Sequence, residues 1–400
     1  MKKVGNVVVA VKCKDEYLLL QRSGIETNSI FIEFPAGKVE EREEPLKAGL
    51  RELEEETGLK LTESDVSFVG ITYRPKINSG KLVESTMFLA EFEEKPKIKI
   101  SEEHDTFIWN NINQIKELKN LGFESTRCLN MINSNNIFNS LKKEIRKEFE
   151  ANFNKDEIGI YLVGSVSRQD FLKDWSDIDV IVYFKKLDVE LSDLIKLRKI
   201  SMNLNKLGHQ FWFKVHSPKD FPKTYSDRLV MNYFNDGKQI YGINVKDIIK
   251  KDFEAAKELI IKQGKSKNKL FEFSPRFMYR CYMTGTHTED PTFGSVHINM
   301  KYITNTHGNE LRIAKLIDLV LDTCYFLSFN KNMIPSCDKF ESSSVFAFQF
   351  DNLIPFKLLR IREEEWLKDS EYLSSEKIKE VEELCFDFFE NVYPKLAENE

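Results

Sequence analysis

The stretch GKVEEREEPLKAGLRELEEETGL, residues 37–59, decides the fold of the first third of the chain. Within it, Glu52, Glu55 and Glu56 follow an arginine at helical spacing. A helix turns once in 3.6 residues, so these three carboxylates share one face. Carboxylates crowded on one face repel each other, and oxygen ligands of this kind suit Mg²⁺ or Mn²⁺. The stretch predicts a metal-binding helix, although a Glu-rich helix is also a common form of solvated surface.

The whole stretch resembles the Nudix box, G-x(5)-E-x(7)-R-E-U-x-E-E-x-G-U, in which U is a bulky aliphatic residue. All specified positions are matched, namely Gly37, Glu43, Arg51, Glu52, Leu53, Glu55, Glu56, Gly58 and Leu59. A complete match is much more specific than a Glu-rich helix alone. The resemblance implies a Nudix α/β/α sandwich, which we expect to span residues 1–127.

The same resemblance implies hydrolysis of a nucleoside diphosphate linked to a second group. Glu52, Glu55 and Glu56 would be the catalytic metal ligands, with Mg²⁺ or Mn²⁺ as cofactor. Arg51 would orient these glutamates, because its planar guanidinium donates paired hydrogen bonds. Glu103, outside the box, is a candidate for taking the proton of the attacking water, and the alternative is an ordinary solvated loop acid.

Two further features favour an ADP-ribose-like substrate. Residues 33–37, EFPAG, are similar to the E-x-P-A-G segment common in ADP-ribose pyrophosphatases. Pro75 lies sixteen residues after Leu59, where that subgroup has a marker proline. We therefore expect Gly37 and Pro75 to lie in the nucleotide-binding part of the site, although a single proline also simply shapes loops.

A second constellation occurs in the middle of the chain. One apolar run, a predicted strand, ends in Gly164-Ser165, and the next predicted strand begins at Asp177-Ile178-Asp179. Residues i and i+2 of a strand point to the same face, so the two aspartates aim together. Two such carboxylates can bridge two Mg²⁺ ions, and a Gly-Ser turn can cradle a triphosphate.

This second pattern, VGS-x(11)-DIDV, resembles the minimal-nucleotidyltransferase signature hG[GS]-x(7–13)-Dh[DE]h, in which h is hydrophobic. The resemblance covers residues 140–245 and implies a polymerase-beta-like α/β domain. Such a domain would transfer a nucleoside monophosphate to an acceptor, with ATP as one candidate donor. The implied site residues are Asp177 and Asp179 for the metal, and Gly164, Ser165 and Arg168 for the nucleotide.

The nucleotidyltransferase family usually has a third carboxylate on a later strand, for which residues 209–217 are the candidate. Four side chains there share one face, and none of them is acidic: Gln210, Trp212, Lys214 and His216. A lysine would oppose a second cation, and His216 is either a substitute ligand or a plain polar residue. The rival hypothesis makes residues 140–400 a non-catalytic nucleotide-binding sensor or partner-binding module.

The remaining segments carry expectations about organisation. Residues 128–139 are rich in Asn and Ser and are predicted to be a linker, with Ser140 capping the helix that follows. Residues 236–242, DGKQIYG, are predicted to be a turn that ends the second domain. Residues 246–400 are predicted to be mostly helical and to support the transferase cleft. Together these regions predict a multidomain α+β and α/β protein.

Composition limits the partners. The 400 residues carry a formal net charge of −5, which argues against general nucleic-acid binding and against a membrane surface. The six cysteines form no C-x-x-C pair, and no signal peptide or membrane-spanning run is evident. We expect a cytoplasmic protein whose partners are nucleotides. Nudix domains often pair, so a homodimer is a further expectation from the resemblance.

Overall fold

The computed structural model divides into two compact units. The first comprises residues 1–133 and 343–371, and the second comprises residues 134–342 and 372–400. The residues that the structure describes are 2–23, 30–76, 81–118, 120–171, 176, 178–209, 211–218, 237–248, 317, 320, 321, 323, 324, 339–367 and 374–392.

The first unit is built on a seven-stranded sheet. Its strands are β1 (Lys2–Cys13), β2 (Glu16–Ser23), β3 (Ile30–Glu33), β4 (Ala36–Lys38), β5 (Val66–Lys76), β6 (Lys81–Phe92) and β7 (Thr106–Asn111). The order is β3-β2-β1-β6-β5, with β4 paired to β1 and β7 paired to β2. The pair β1 and β6 is parallel, and the other pairs are antiparallel.

Helices cover both faces of this sheet. They are α1 (Pro45–Thr57), α2 (Ile112–Lys116) and the first part of α3 (Phe123–Glu150). Alternate residues of a strand face opposite sides. Val7 and Val9 of β1 accordingly share a core with Leu53 of α1. Val8 and Ala10, on the opposite face of the sheet, share a core with Leu129 of α3. The predicted α/β/α sandwich is confirmed.

The second unit has a four-stranded sheet in the order β10-β9-β8-β11. These strands are β8 (Ile158–Val163), β9 (Ile178–Phe184), β10 (Phe211–His216) and β11 (Lys238–Gly242), and α4 spans Leu191–Leu204. β9 and β10 are parallel, whereas β8 is antiparallel to both of its neighbours. Apolar side chains of β8, β9, β10, α4 and the later part of α3 form one core. The predicted central α/β domain is therefore confirmed in its described part.

Two expectations about local structure are wrong. Residues 128–139 are helical within α3, so Ser140 lies inside a helix and caps none. Asn and Ser are weak helix formers, but Leu129 and Met131 of this segment are buried in the first core, and burial outweighs propensity. Residues 238–242 form strand β11 because they pair with β8, so this segment is more than a terminating turn.

The C-terminal region contributes to both units. Its described helices are α5 (Lys339–Phe350), α6 (Ile354–Leu367) and α7 (Ser375–Asp387), followed by a π-helical turn, Phe388–Val392. Residues 343–371, which include α6, belong to the first unit, so the prediction that the whole region supports the transferase cleft is wrong. In α6, Phe356 contacts Phe123 with ring centroids 5.5 Å apart. In the described part of the chain no helix is both long and apolar enough to cross a membrane.

Candidate active sites

Arg51 ties the loop of the Nudix box to its helix. Its Nε and Nη2 donate to the two oxygens of Glu43 at 3.1 Å each, and Nη2 also donates to the carbonyl of Lys38 at 3.0 Å. Its Nη1 donates to Glu52 Oε1 at 2.8 Å and to Glu55 Oε2 at 3.4 Å. The hydrogen bonds to Glu43 raise the pKa of Arg51, which stays charged. One guanidinium therefore holds three box carboxylates in place.

Gly37 leaves the space that the Glu52 carboxylate occupies. A Cβ placed on Gly37 would lie 1.9 Å from Glu52 Cδ and 2.2 Å from Oε1, well inside van der Waals contact. Gly37 itself is held by β4, where it pairs with Val7 of β1. The glycine of the box thus brings the backbone of the preceding strand directly against a predicted metal ligand.

Glu56 is the most buried of the three predicted ligands. Its Oε2 accepts a hydrogen bond from the backbone N–H of Ala36 at 3.0 Å. Burial raises the pKa of Glu56 to about 8, and the nearby carboxylates of Glu33, Glu52 and Glu103 raise it further, while the Ala36 hydrogen bond opposes the shift. A buried carboxylate among other carboxylates is a place where a bound cation would be stabilising.

The loop between β6 and β7 brings a histidine to this glutamate. The backbone N–H of Ser101 donates to the Glu56 carbonyl at 3.2 Å, and the Ser101 hydroxyl is hydrogen-bonded to His104 Nδ1 at 3.3 Å. His104 is buried, and its Nε2 lies 3.8 Å from Glu56 Oε1. Burial lowers the pKa of His104, and the Arg22 charge lowers it further. The predicted residue Glu103 is exposed in the same loop.

Sequence reasoning missed His104 and also Glu33. Glu33 lies on β3 with its carboxylate 3.0 Å from Arg22 Nε, and burial raises its pKa. It interacts with Glu56 and with Glu124 of α3, which pairs with Arg74 Nε at 2.6 Å. Glu33 begins the EFPAG segment and His104 follows the candidate Glu103, so the nearness of each to a selected residue or motif was the available signal.

The predicted nucleotide-binding residue Pro75 lies next to Arg74 on β5, opposite Leu82 of β6. The Arg74–Glu124 pair joins that strand to α3, and Glu124 interacts in turn with Glu33. Phe31, exposed to 45%, follows Ile30 on the strand that carries Glu33. The neighbour of Pro75, Arg74, is thus connected through Glu124 to Glu33 on β3.

The donor chemistry of the box fits a hard divalent cation, since it supplies carboxylate oxygens on one helix face. Glu55 is the most accessible of the three, with 59% of its side chain exposed. Within the described ranges no group of three acidic, histidine or cysteine side chains is gathered as around a metal ion. The reason lies in the contacts above, because Glu52 and Glu55 point to Arg51 while Glu56 points to Ala36. Metal binding would require Glu55 to turn from Arg51.

The second candidate site lies where β8 ends. Asp179 of β9 pairs with Val163 of β8, and Gly164 follows with φ +75°. A Cβ on Gly164 would lie 2.6 Å from Asp179 Oδ2, so this glycine serves both the backbone conformation and the close approach of the carboxylate. Ile178 is buried in the core and Asp179 is on the opposite face, as the strand pattern predicts. Asp177 lies outside the described residues.

Lys214 of β10 occupies the same face as Asp179. Phe211, Phe213 and Val215 point into the core, so Lys214 is on the opposite side of the sheet. Its Nζ lies 3.0 Å from Asp179 Oδ1. His216 is buried near the end of the same strand, and Gln210 lies outside the described residues. The absence of an acidic side chain on β10 is thus accompanied by an ion pair at the expected metal position.

The turn after β8 closes on itself. The backbone N–H groups of Arg168 and Asp170 donate to the carbonyls of Gly164 and Ser165, at 3.1 and 3.0 Å. Arg168 Nε lies 3.5 Å from the buried Asp170 carboxylate. Ser165 is half-buried at the start of this turn. The structure therefore brings Gly164, Ser165 and Asp179 together, and it directs Arg168 toward Asp170.

Comparisons against known families match two parts of the chain. The family model of the NUDIX domain matches residues 1–129, and that of the Nucleotidyltransferase domain matches residues 142–262. The chain contains a Nudix hydrolase domain followed by a nucleotidyltransferase domain. A comparison with curated proteins gave no match.

Solved structures similar to this chain are Nudix proteins. A MutT/nudix family protein from Enterococcus faecalis is 23% identical over 28% of this chain and 44% of its own, with a TM-score of 0.25. A MutT protein from Methanosarcina mazei Go1 is 25% identical over 30% of this chain and 86% of its own, with a TM-score of 0.26. A NUDIX hydrolase from Nitrosomonas europaea is 22% identical over 34% of this chain and 90% of its own, with a TM-score of 0.30. The chain spans less than half of the Enterococcus protein, and at these TM-scores the likenesses carry no further conclusion.

Proposed function

We propose that the first unit is a Mg²⁺-dependent hydrolase that cleaves the pyrophosphate of an ADP-ribose-like nucleoside diphosphate derivative. The observation that carries the proposal is the contact of Glu52 with Gly37, held by the hydrogen bonds of Arg51. This contact brings the Glu52 carboxylate of α1 against the backbone of β4. Families of this kind generally use divalent metals, typically Mg²⁺ or Mn²⁺.

In this proposal the chain's own residues bind, orient and accept protons. Glu52, Glu55 and Glu56 would hold the cation, which supplies charge neutralisation and an activated water. Arg51 keeps Glu52 oriented through its 2.8 Å hydrogen bond. Glu103 is exposed in the neighbouring loop and close enough to affect Glu56, so it is our candidate for accepting the water's proton. His104 packs beside Glu56 and limits where that carboxylate can turn.

The ADP-ribose-like substrate class rests on the strand before the box and on β5. Residues 33–37 supply Glu33 and the backbone N–H of Ala36, while Pro75 adjoins Arg74. A substrate with a ribose on each side of its pyrophosphate would offer hydroxyls to the Glu33 carboxylate. An arginine near the phosphates would favour a dianionic substrate over a neutral one.

We also propose that the second unit transfers a nucleoside monophosphate from a triphosphate to an acceptor. The closeness of Asp179 to the Gly164-Ser165 turn supports this function, because a cation held by the carboxylate would lie next to a turn that could contact phosphates. In the described part of this unit, Asp179 would hold the cation and Ser165 would contact the phosphates. The proposed acceptor is a nucleophile such as a hydroxyl or an amine.

A cytoplasmic location is part of the proposal. The described cysteines, Cys13, Cys128, Cys324 and Cys385, are buried free thiols. Buried free thiols are usual in a reducing compartment, where disulfides are rare. Nucleotide substrates of both proposed activities also occur there.

The experiment that tests the proposed hydrolysis, and its assignment to the first unit, is mass spectrometry of products made by the full-length protein with Mg²⁺. The panel contains ADP-ribose, NADH, sugar nucleotides and nucleoside triphosphates, and it is run with Glu55→Gln and with Asp177→Asn/Asp179→Asn. We expect AMP and ribose phosphate from ADP-ribose, abolished only by Glu55→Gln. An untouched panel would contradict the substrate class, and loss of hydrolysis in the aspartate variant would contradict the assignment of hydrolysis to the first unit.

A further inference from the structure

The ion pair between Asp179 and Lys214 lies where the proposed transfer reaction needs cations. The Lys214 Nζ to Asp179 Oδ1 distance is 3.0 Å, and the two side chains are only 28% and 22% exposed. The other Asp179 oxygen lies against Gly164, at the turn that follows β8. The carboxylate thus has one oxygen beside an ammonium and the other beside the turn.

This pair disagrees with a site that holds two divalent cations. A two-metal arrangement needs carboxylates to outnumber positive side chains, since each ion carries two charges. Lys214 pairs with Asp179, so one of the two carboxylates that the DID sequence offers to a cation is already neutralised. No acidic residue is present on β10, where the sequence is FWFKVH. A second divalent ion near Asp179 would therefore meet the ammonium at close range, where like charges repel strongly even at a partly exposed site.

We propose that Lys214 is a built-in cation that takes the place of one of the two divalent ions. In this arrangement the second unit binds the polyphosphate of a nucleoside triphosphate with a single divalent cation. The Lys214 ammonium supplies the second centre of positive charge beside the phosphates. Lysine suits this role because its ammonium is a compact point charge on a flexible stem, which can leave Asp179 for a phosphate oxygen.

The inference has a structural basis in the register of the sheet. Lys214 is opposite Ile181 of β9, two residues beyond the Trp212–Asp179 pair, so its side chain must reach back along the sheet to Asp179. A long side chain is needed for that reach. Lys214→Glu would instead place a carboxylate on the sheet face that carries Asp179, where a bound cation could bridge the two.

The test counts the Mn²⁺ ions that the second unit binds. The full chain carries Glu52→Gln, Glu55→Gln and Glu56→Gln, which remove the acidic ligands of the first unit. Mn²⁺ is titrated by electron paramagnetic resonance in the presence of adenosine 5′-(α,β-methylene)triphosphate. We expect one bound Mn²⁺ per chain with Lys214 and two with Lys214→Glu. Two ions with Lys214 present, or one ion in a folded Lys214→Glu protein, would overturn the inference.

The matched control is Lys199→Glu on α4. Lys199 is exposed in the same unit, and its replacement changes the net charge by the same amount. We expect it to leave the count at one. A count of two in this control would show that general charge, rather than position 214, determines binding, and would equally overturn the inference.

A second variant covers misfolding and separates this inference from the proposed function on which it rests. Lys214→Met keeps the length of the side chain and removes its charge. In the nucleotide-free protein we expect it to bind Mn²⁺ roughly tenfold more tightly or better than the parent, because the competing ammonium is gone. Equal affinities would overturn the inference. If the nucleotide analogue fails to bind while Lys214→Met still gains affinity, the transfer proposal and the polyphosphate ligand fail, whereas the replacement of one divalent ion by Lys214 stands.

Discussion

Gly37 shows at the residue scale how a motif glycine acts through a neighbouring side chain. Its Cα faces the Glu52 carboxylate so closely that a Cβ would lie 1.9 Å from Glu52 Cδ. Gly37→Ala must therefore push Glu52 away from the place where Arg51 holds it. Misplacement of a catalytic group by about 1 Å can cost roughly 10²-fold in rate, so we expect at least that loss of kcat for hydrolysis.

The control for this prediction is Gly122→Ala at the start of α3. A Cβ there would lie 3.6 Å from Glu33 Cβ, which is ordinary van der Waals contact. We expect wild-type kcat in this variant. Steady-state hydrolysis of ADP-ribose, with circular dichroism to confirm folding, measures both variants. A Gly37→Ala protein with wild-type kcat would show that Glu52 does not need its observed position.

Glu56 is expected to make the stability of the first unit depend on pH. Its pKa is raised from an ordinary 4.5 to about 8 in the folded, metal-free protein, chiefly by burial. The folded state therefore binds a proton that the unfolded state has released, so stability falls as pH rises from 4.5 through about 8. The whole effect is on the order of a few kcal/mol. Chemical denaturation in EDTA between pH 5 and 9 measures it.

Glu56→Gln is the variant that tests this prediction, because glutamine cannot ionise. We expect its stability in EDTA to fall less steeply over the same pH range. The exposed neighbour is the control, and Glu55→Gln should keep the wild-type slope. A Glu56→Gln protein with the wild-type slope would assign the pH dependence to another group.

At the element scale, α6 completes the first unit with a buried charge cluster. Arg127 of α3 is 0% exposed, and its Nη1 lies 3.6 Å from Glu363 Oε2 on α6. Asn130 Nδ2 also donates to Glu363, and Arg362 lies 3.6 Å from the other oxygen. Removing one partner of such a cluster leaves a charge buried without compensation, which costs about 3–5 kcal/mol.

We therefore expect Glu363→Ala to destabilise the first unit strongly, whereas Glu364→Ala should have little effect. Glu364 is 44% exposed and pairs with Arg360 at the surface, an interaction worth about 0–1 kcal/mol. Hydrogen exchange by mass spectrometry reads each unit separately. Peptides from β1 should exchange roughly 10²-fold faster in Glu363→Ala under conditions where exchange reports stability. Equal exchange in the two variants would show that α6 is dispensable.

The elements also show what the sequence could predict. The two apolar runs that became β8 and β9 and the box that became α1 are local patterns, so they are readable from the sequence. The continuity of α3 was missed because Asn and Ser suggested a linker, while the burial of Leu129 and Met131 depends on distant strands. The position of Glu363 beside Arg127 joins residues more than two hundred apart, and no local pattern indicates such a contact.

At the scale of the whole molecule, the first unit is assembled from two segments that are far apart in the sequence. Residues 1–133 and 343–371 belong together, and residues of the second unit lie between them in sequence. A family boundary at residue 129 consequently does not mark the end of the first structural unit. The two sites nevertheless draw their described residues from separate units, with Arg51, Glu52 and Glu56 in one and Gly164, Asp179 and Lys214 in the other.

This separation predicts that the two proposed activities are independent. Substitutions of residues that share no partners have additive effects, within roughly a factor of two. We expect Glu55→Gln to abolish hydrolysis and leave the affinity of the second unit for a nucleoside triphosphate unchanged. Asp179→Asn should weaken that affinity and leave kcat for hydrolysis within the same factor. The double variant should show both losses and no more. A larger effect of Asp179→Asn on hydrolysis would instead require the second unit to take part in the first reaction.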